Sequence, residues 1–330
     1  MTYKPRVGLL LGDPTGIGPE VTAKLLSLPE TSERAEILVI GDRRIYRNGF
    51  AIAGSPEVAA PFLDYSSSEA DYPLGKVNPA AGEYTLGSLR LAIEKLAQGA
   101  IDAMVYAPLN KQAMKLAGLP HEDELHYFAA LLGYQGAISE INVCGALWTS
   151  RVTSHVPLRD VSDLITIDKI CASTQLLHQA LIAGGIHTPR LAIAALNPHA
   201  GEGGLLGTEE LTTIAPAIER VRSKGIHAAG PLPADTLFIA ARRGDYDGVV
   251  TMYHDQGQIA LKLLGFDRGV TVSGGLPSAI TTPAHGTAFD IAGKGVADVR
   301  AMREAFTIAC SMAQSAHEGR LRTAADSGRV

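Results

Sequence analysis

Three histidines stand where apolar runs of strand length stop. Asp247-Gly-Val-Val-Thr-Met-Tyr-His254 ends one run, Leu191-Ala-Ile-Ala-Ala-Leu-Asn-Pro-His199 a second, and Cys144-Gly-Ala-Leu-Trp-Thr-Ser-Arg-Val-Thr-Ser-His155 a third. Such runs predict short buried strands, the first over 247–252 with a helix starting at Gln258. In open α/β sheets the carboxyl ends of the strands are where ligands bind. His155, His199 and His254 are therefore candidates for a divalent-metal site with coordination positions left open, as catalysis requires. The alternative is ordinary polar or surface histidines, since the chain has ten and these form no compact local ligand motif. His121-Glu-Asp-Glu-Leu-His126 is no zinc-protease helix, because its second histidine falls five residues on where that motif needs four.

Further chemistry-bearing residues follow the same strand ends, at Gly12-Asp13-Pro14, Ala107-Pro-Leu-Asn-Lys111, Asn197-Pro-His199 and His254-Asp255-Gln256. A shared active-site rim accounts for this placement. Gly12-Asp-Pro-Thr-Gly-Ile-Gly-Pro-Glu20 opens a helix and is either an anion site or a tight turn; Val21 after Gly16 and Gly18 excludes the Rossmann fingerprint. The glycine-dense stretch from Asn197 to Glu210 is either a close approach to a ligand or a plain loop. Asp235, after Gly230-Pro-Leu-Pro-Ala, is either catalytic or the cap of a helix beginning at Thr236. Asp235 and Asp255 are candidates to orient the histidines. Lys262 either serves an anionic substrate end or a proton transfer, or is a surface lysine roughly 12 Å of helical rise beyond His254. His285-Gly-Thr-Ala-Phe-Asp-Ile-Ala-Gly-Lys-Gly295 either wraps a cofactor or joins two elements.

The elements that must position these residues alternate. Strand-length runs occur at 7–11, 37–40, 103–106, 141–147, 191–196, 248–252 and 270–272, separated by helical patterns such as 85–97, 166–183 and 208–223. That predicts an α/β fold with a mainly parallel sheet and helices on both faces. At 330 residues and 46% hydrophobic, the chain supports two domains or two lobes. A net charge of -5 without basic clusters gives no footprint for nucleic acid. Cys144, Cys171 and Cys310 are widely spaced in apolar sequence and read as core thiols in a reducing compartment. No run reaches membrane length, so a cytoplasmic protein without membrane association is expected.

Taken together, Gly12 to Glu20, Ser154-His-Val-Pro-Leu-Arg-Asp160, Leu196-Asn-Pro-His-Ala-Gly-Glu-Gly-Gly204, Gly230-Pro-Leu-Pro-Ala-Asp-Thr-Leu-Phe238, Met252-Tyr-His-Asp-Gln-Gly257 and His285-Gly-Thr-Ala resemble, in order, the motifs of the 4-hydroxythreonine-4-phosphate dehydrogenase family. The resemblance runs from Val7 to about Ser315. It implies the two-lobed α/β/α fold of isocitrate and isopropylmalate dehydrogenases, with one lobe from 1–125 plus about 286–330 and the other from 126–285. It implies NAD or NADP bound without a Rossmann fingerprint, by Gly16, Gly18, His285, Gly286, Thr287 and Asp290. It assigns His155, His199 and His254 to a divalent cation (zinc, magnesium, manganese or cobalt) in a site shared across a homodimer, and Lys262 to the substrate. The implied reaction oxidises the alcohol of a hydroxy-acid 4-phosphate, with decarboxylation. Where the family pattern has a substrate-contacting His-Thr this chain has Glu124-Leu125, and Thr271 and Ile280 replace an asparagine and an arginine. Losing these donors and a cation weakens the case for phosphate. Four-carbon sugar-acid phosphates and an unphosphorylated dihydrodiol carboxylate are therefore the rival substrates, and a catalytically silent binding protein the rival class.

Overall fold

The computed structural model describes residues 3–66 and 72–327. Its strands are β1 (Arg6–Leu10), β2 (Glu36–Gly41), β3 (Phe62–Asp64), β4 (Ala103–Tyr106), β5 (Ser139–Cys144), β6 (Leu147–Arg151), β7 (Leu191–Ala194), β8 (Ala228–Leu232), β9 (Gly248–Thr251), β10 (Val270–Gly274) and β11 (Ala279–Pro283). The backbone divides into two compact units, Met1–Gly136 with Val270–Val330, and Ala137–Gly269. These limits differ from the expected 125/126 and 285/286. Helix Glu124–Leu131 buries Tyr127 and Phe128 against Leu86, Leu89 and Ile93 of helix Pro79–Ala97, and β11 pairs with β4, which draws both segments into the first unit.

In the first unit the strand order is β3-β2-β1-β4-β11-β10, parallel throughout except that β10 runs antiparallel to β11. In the second it is β5-β6-β9-β7-β8, parallel except for the β5–β6 hairpin. The expected single strand over 141–147 is thus two. Gly145, at φ 59, turns the chain so that Cys144 faces Leu147 across a two-residue loop. β4, β7 and β9 are buried along their whole length, as their apolar runs require of parallel strands covered on both faces, and β6 is equally buried although it carries Thr149, Ser150 and Arg151.

Helix starts follow local chemistry. Asn78 accepts from Ala80 N ahead of Pro79, and Thr166 accepts from Lys169 N, so helices Pro79–Ala97 and Ile167–Ala183 begin at capped positions. The helix expected over 208–223 instead opens with a π-turn, Glu210–Ile214, before Ala215–Arg222. The second unit's core gathers Leu147, Ala192, Leu237, Val249 and Leu261. Among the described residues no helix is long and apolar enough to cross a membrane.

Candidate active site

In the second unit, the exits of β6, β9 and β7 are tied to one another by side chains. Thr153 N and Oγ1 both donate to Met252 O, at 3.1 and 2.8 Å. Gln256 Oε1 accepts from Met252 N at 2.7 Å, while its Nε2 donates to Ala195 O at 2.7 Å. The helix following β9 begins at His254, not at Gln258, so the histidine sits on its first turn. The rings of His155 and His254 lie 5.5 Å apart, centroid to centroid. His254 Nδ1 is 2.6 Å from Asp255 Oδ1, which fixes the ring; in the tautomer with the proton on Nδ1, the Nε2 lone pair is left for a ligand. His199 lies on the segment after β7, at φ 53. Among the described residues no group of three histidine, cysteine or acidic side chains is placed to hold a metal within one chain. The structure therefore pairs His155 with His254 and does not complete the set with His199.

Of the other residues expected in this unit, Lys262 is exposed on the continuous helix His254–Gly265. Asp235 is exposed in the first turn of helix Ala234–Arg242, whose N-cap is Pro233, so the expected capping role at Thr236 is corrected. The helix begins two residues earlier because Pro233 supplies its entry. Asp255 is exposed and engages His254 alone among the expected partners.

In the first unit the two glycine-rich motifs meet. Ile17 N donates to Thr287 O at 3.0 Å, and a Cβ on Gly16 would lie 2.7 Å from Thr287 Cβ. A Cβ on Gly18 would lie 2.4 Å from Leu11 O. Both glycines are thus required by close packing within the protein itself. His285 Nδ1 is 3.1 Å from Gly286 O; Gly286 and Asp290 are exposed, whereas Thr287 is buried. Lys24 Nζ donates to Gly295 O and Ala297 O, and Glu20 Oε1 accepts from Ala297 N, so helix Gly18–Leu26 pins the far end of that segment. Asp13 is fully buried after β1; Oδ1 accepts from Thr15 N and Oγ1 at 2.7 and 2.6 Å, and burial pushes its carboxyl above the usual carboxylate range.

The residues at the departed substrate positions divide sharply. Glu124 Oε2 is buried, makes no hydrogen bond, and faces Lys111 Nζ at 3.4 Å. Thr271, half-buried on β10, pairs with Thr282. Ile280 is completely buried among Leu10, Met104, Tyr106 and Phe128, and Leu125 is 4% exposed. A substrate-contacting role for Ile280 and Leu125 is corrected accordingly: their side chains are spent on packing.

The sequence model of the family described as pyridoxal phosphate biosynthetic protein PdxA matches residues 33–309. The chain belongs to the PdxA family. A Pseudomonas aeruginosa protein, provisionally named 4-hydroxythreonine-4-phosphate dehydrogenase 2, is 47% identical over 329 residues, covering 93% of this chain and 97% of its own. D-threonate 4-phosphate dehydrogenase of Cupriavidus necator is 39% identical over 319 residues, covering 92% and 96%. The crystal structure of 4-hydroxythreonine-4-phosphate dehydrogenase from Klebsiella pneumoniae superposes with a TM-score of 0.83 at 34% identity, covering 95% and 99%. The PdxA-family chain is accordingly an NAD(P)-dependent dehydrogenase that oxidises a CH–OH group of a hydroxy-acid phosphate.

Several residues that organise this PdxA-family site escaped the sequence reading. Arg151, buried at the end of β6, donates to Glu140 Oε2 and Asn142 Oδ1, both at 2.6 Å, and to Ser154 Oγ at 3.0 Å, beside His155. Gln258, one turn after His254, donates to the same Asn142 oxygen at 2.5 Å. An arginine closing a short strand that opens with Leu147 and Trp148 was the available signal, since a buried guanidinium demands partners. Gln256 and Lys111 stood in recognised stretches, but the partners Ala195 and Glu124 lie outside those stretches.

Proposed function

We propose that the chain uses NAD or NADP to oxidise the secondary alcohol of 4-hydroxythreonine 4-phosphate or a close analogue, with a divalent cation held by His155, His254 and His199 in a homodimeric site. The observation that carries this reading is the His155–His254 pair, 5.5 Å between centroids, with Nδ1 of His254 held by Asp255. Imidazole nitrogens suit zinc better than magnesium or manganese, which prefer oxygen ligands, so this donor set fits a zinc-like cation. When bound, the cation would polarise the alcohol oxygen that loses its proton as hydride leaves the adjacent carbon. A β-keto acid produced this way readily loses CO2, which is why decarboxylation belongs to the reading.

The protein's own residues would bind and orient. Asp255 keeps His254 in one tautomer, while Thr153, Gln256 and Arg151 hold the strand exits that carry the histidines. Lys262 would hold an anionic end of the substrate or pass a proton. On the nicotinamide side would lie Gly16, packed on Thr287, and Gly18, packed on Leu11, with His285, Gly286 and Asp290 on the segment that carries Thr287.

A homodimer is supported by two features of the second unit. One chain lacks a third cation ligand beside the histidine pair among the described residues. Ile239, Ile259 and Leu263 are 56%, 61% and 83% exposed on two helices that pack together, one of them carrying His254. A second copy covering this face would bury it and supply His199.

A second substrate reading is threonate or erythronate 4-phosphate, supported by the 39% identity to D-threonate 4-phosphate dehydrogenase of Cupriavidus necator. Reduced-nicotinamide formation with these phosphorylated acids, and with a dihydrodiol carboxylate, tests the assignment. Turnover of the unphosphorylated compound alone would reject both phosphate readings.

A further inference from the structure

The segment after β7 adopts a conformation that needs explanation. His199, Ala200, Gly201, Glu202 and Gly203 all have positive φ, at 53, 53, 75, 44 and 67°. Left-handed backbone is costly for a non-glycine residue, and it persists only where the surroundings over-determine it. The surroundings here converge on one side chain. Glu210 is 2% exposed; its Oε1 accepts from Leu196 N at 2.9 Å and from Asn197 N at 2.7 Å, and its Oε2 accepts from Asn197 Nδ2 at 2.9 Å. Glu209 Oε2 takes the same amide nitrogen at 2.7 Å.

Two glycines show how tightly this clamp closes. A Cβ on Gly201 would lie 2.7 Å from Glu210 Oε2, and one on Gly207 would lie 2.4 Å from Asn197 Nδ2. The carboxylate is delivered by the π-turn Glu210–Ile214, an irregularity frequent at functional sites. Its donors are two consecutive backbone amides and one side-chain amide, all within the stretch that leads to His199.

We infer that Glu210 is a positioning residue that presents His199 to the divalent cation. The bonds to Leu196 N and Asn197 N fix the chain immediately before Pro198, whose ring fixes φ, so the direction in which His199 leaves is set by the carboxylate. Gln256 completes the arrangement from the other side, because its bond to Ala195 O joins the same stretch to the His254 turn. Glu210 acts through His199 and touches neither substrate nor nicotinamide. The inference rests on the cation reading of the histidines.

The test is calorimetric titration of the metal-stripped full-length protein with Zn2+ and with Mn2+, comparing wild type, Glu210→Gln and His254→Ala, with NADH binding measured in parallel. Glu210→Gln keeps one acceptor oxygen but turns the other into a donor facing Asn197 Nδ2. The expected result is roughly 10–100-fold weaker cation binding with NADH affinity unchanged. Unchanged cation affinity in Glu210→Gln, beside a loss in His254→Ala, overturns the positioning role and leaves the cation site standing. Unchanged affinity in both overturns the cation reading and this inference with it. Equal losses of cation and NADH affinity indicate general loosening and also overturn it. If Glu210→Gln does not fold, Glu210→Asp carries the test, since the side chain shortened by one methylene withdraws the carboxylate from Leu196 N and Asn197 N; a several-fold loss of cation affinity supports the inference and no change overturns it.

Discussion

Replacing Ile280 separates packing from substrate recognition. Its side chain is 0% exposed on β11, registered with Met104 of β4 and packed among Leu10, Tyr106, Tyr127 and Phe128. Ile280→Ala removes three buried carbons, worth about 0.8 kcal/mol each before any cavity contribution. The total expected is roughly 2–5 kcal/mol. At about 2–4 °C per kcal/mol for a unit of this size, melting should fall by roughly 5–15 °C. Circular dichroism melts and steady-state KM for the hydroxy-acid phosphate, measured below the transition, provide the readouts. Ile280→Arg, which restores the family's residue, should fail to fold well, because an unpaired guanidinium would enter a closed apolar cluster. A melting temperature unchanged in Ile280→Ala, together with a KM raised tenfold, would refute the reasoning and return Ile280 to the substrate.

Other perturbations follow from particular contacts. Gly16→Ala should cost about 1–3 kcal/mol and weaken NADH binding, because its methyl group meets Thr287 Cβ at 2.7 Å and Thr287 O at 2.8 Å; fluorescence titration of NADH reads the second effect. Asp247 is held below the usual carboxylate range by hydrogen bonds from the Arg190 guanidinium, in spite of its partial burial. A depressed carboxylate contributes stability above its unfolded pKa and loses it as pH falls through the folded value. Asp247→Asn should therefore be less stable than wild type at neutral pH, with the difference closing below about pH 4 in urea denaturation; a constant difference down to pH 2 would contradict this. Asp13 has the opposite sign: burial raises its folded pKa, so ionisation weakens the fold as pH rises from the unfolded value. Asp13→Asn, which keeps the acceptor for Thr15, should flatten that fall, and denaturation midpoints across acid and neutral pH would show it.

Much of the architecture was legible because buried parallel strands need continuous apolar runs. The runs at 103–106, 191–196 and 248–252 coincide with β4, β7 and β9 for that reason. What escaped was punctuated or marginal in sequence. β8 contains Gly230 and Pro231, which a strand tolerates at the edge it occupies. β11, with threonines at Thr281 and Thr282, pairs centrally because those hydroxyls donate to Ala305 O and Tyr106 O. Pro79 and Asn78 extended a helix further than its apolar periodicity indicated.

The site divides in the same way. That the histidines end strands was visible from periodicity, and the ordered motifs led to the family. The pairing of His155 with His254 was not visible, because it depends on Thr153 and Gln256 reaching across strands nearly a hundred or some sixty positions apart in sequence. The fate of Ile280 and Leu125 was likewise hidden: replacing a polar residue by an alkyl one changes chemistry on paper, while burial decides whether the position ever meets solvent.

The most direct measurement is NADH or NADPH formation from 4-hydroxythreonine 4-phosphate by metal-stripped protein, titrated with a divalent cation, in wild type, His155→Ala and His254→Ala. Cation-dependent turnover in wild type, abolished in both variants while nicotinamide binding persists, is the predicted result. Full turnover without added cation and in the presence of a chelator, or activity that survives loss of both histidines, would contradict the account.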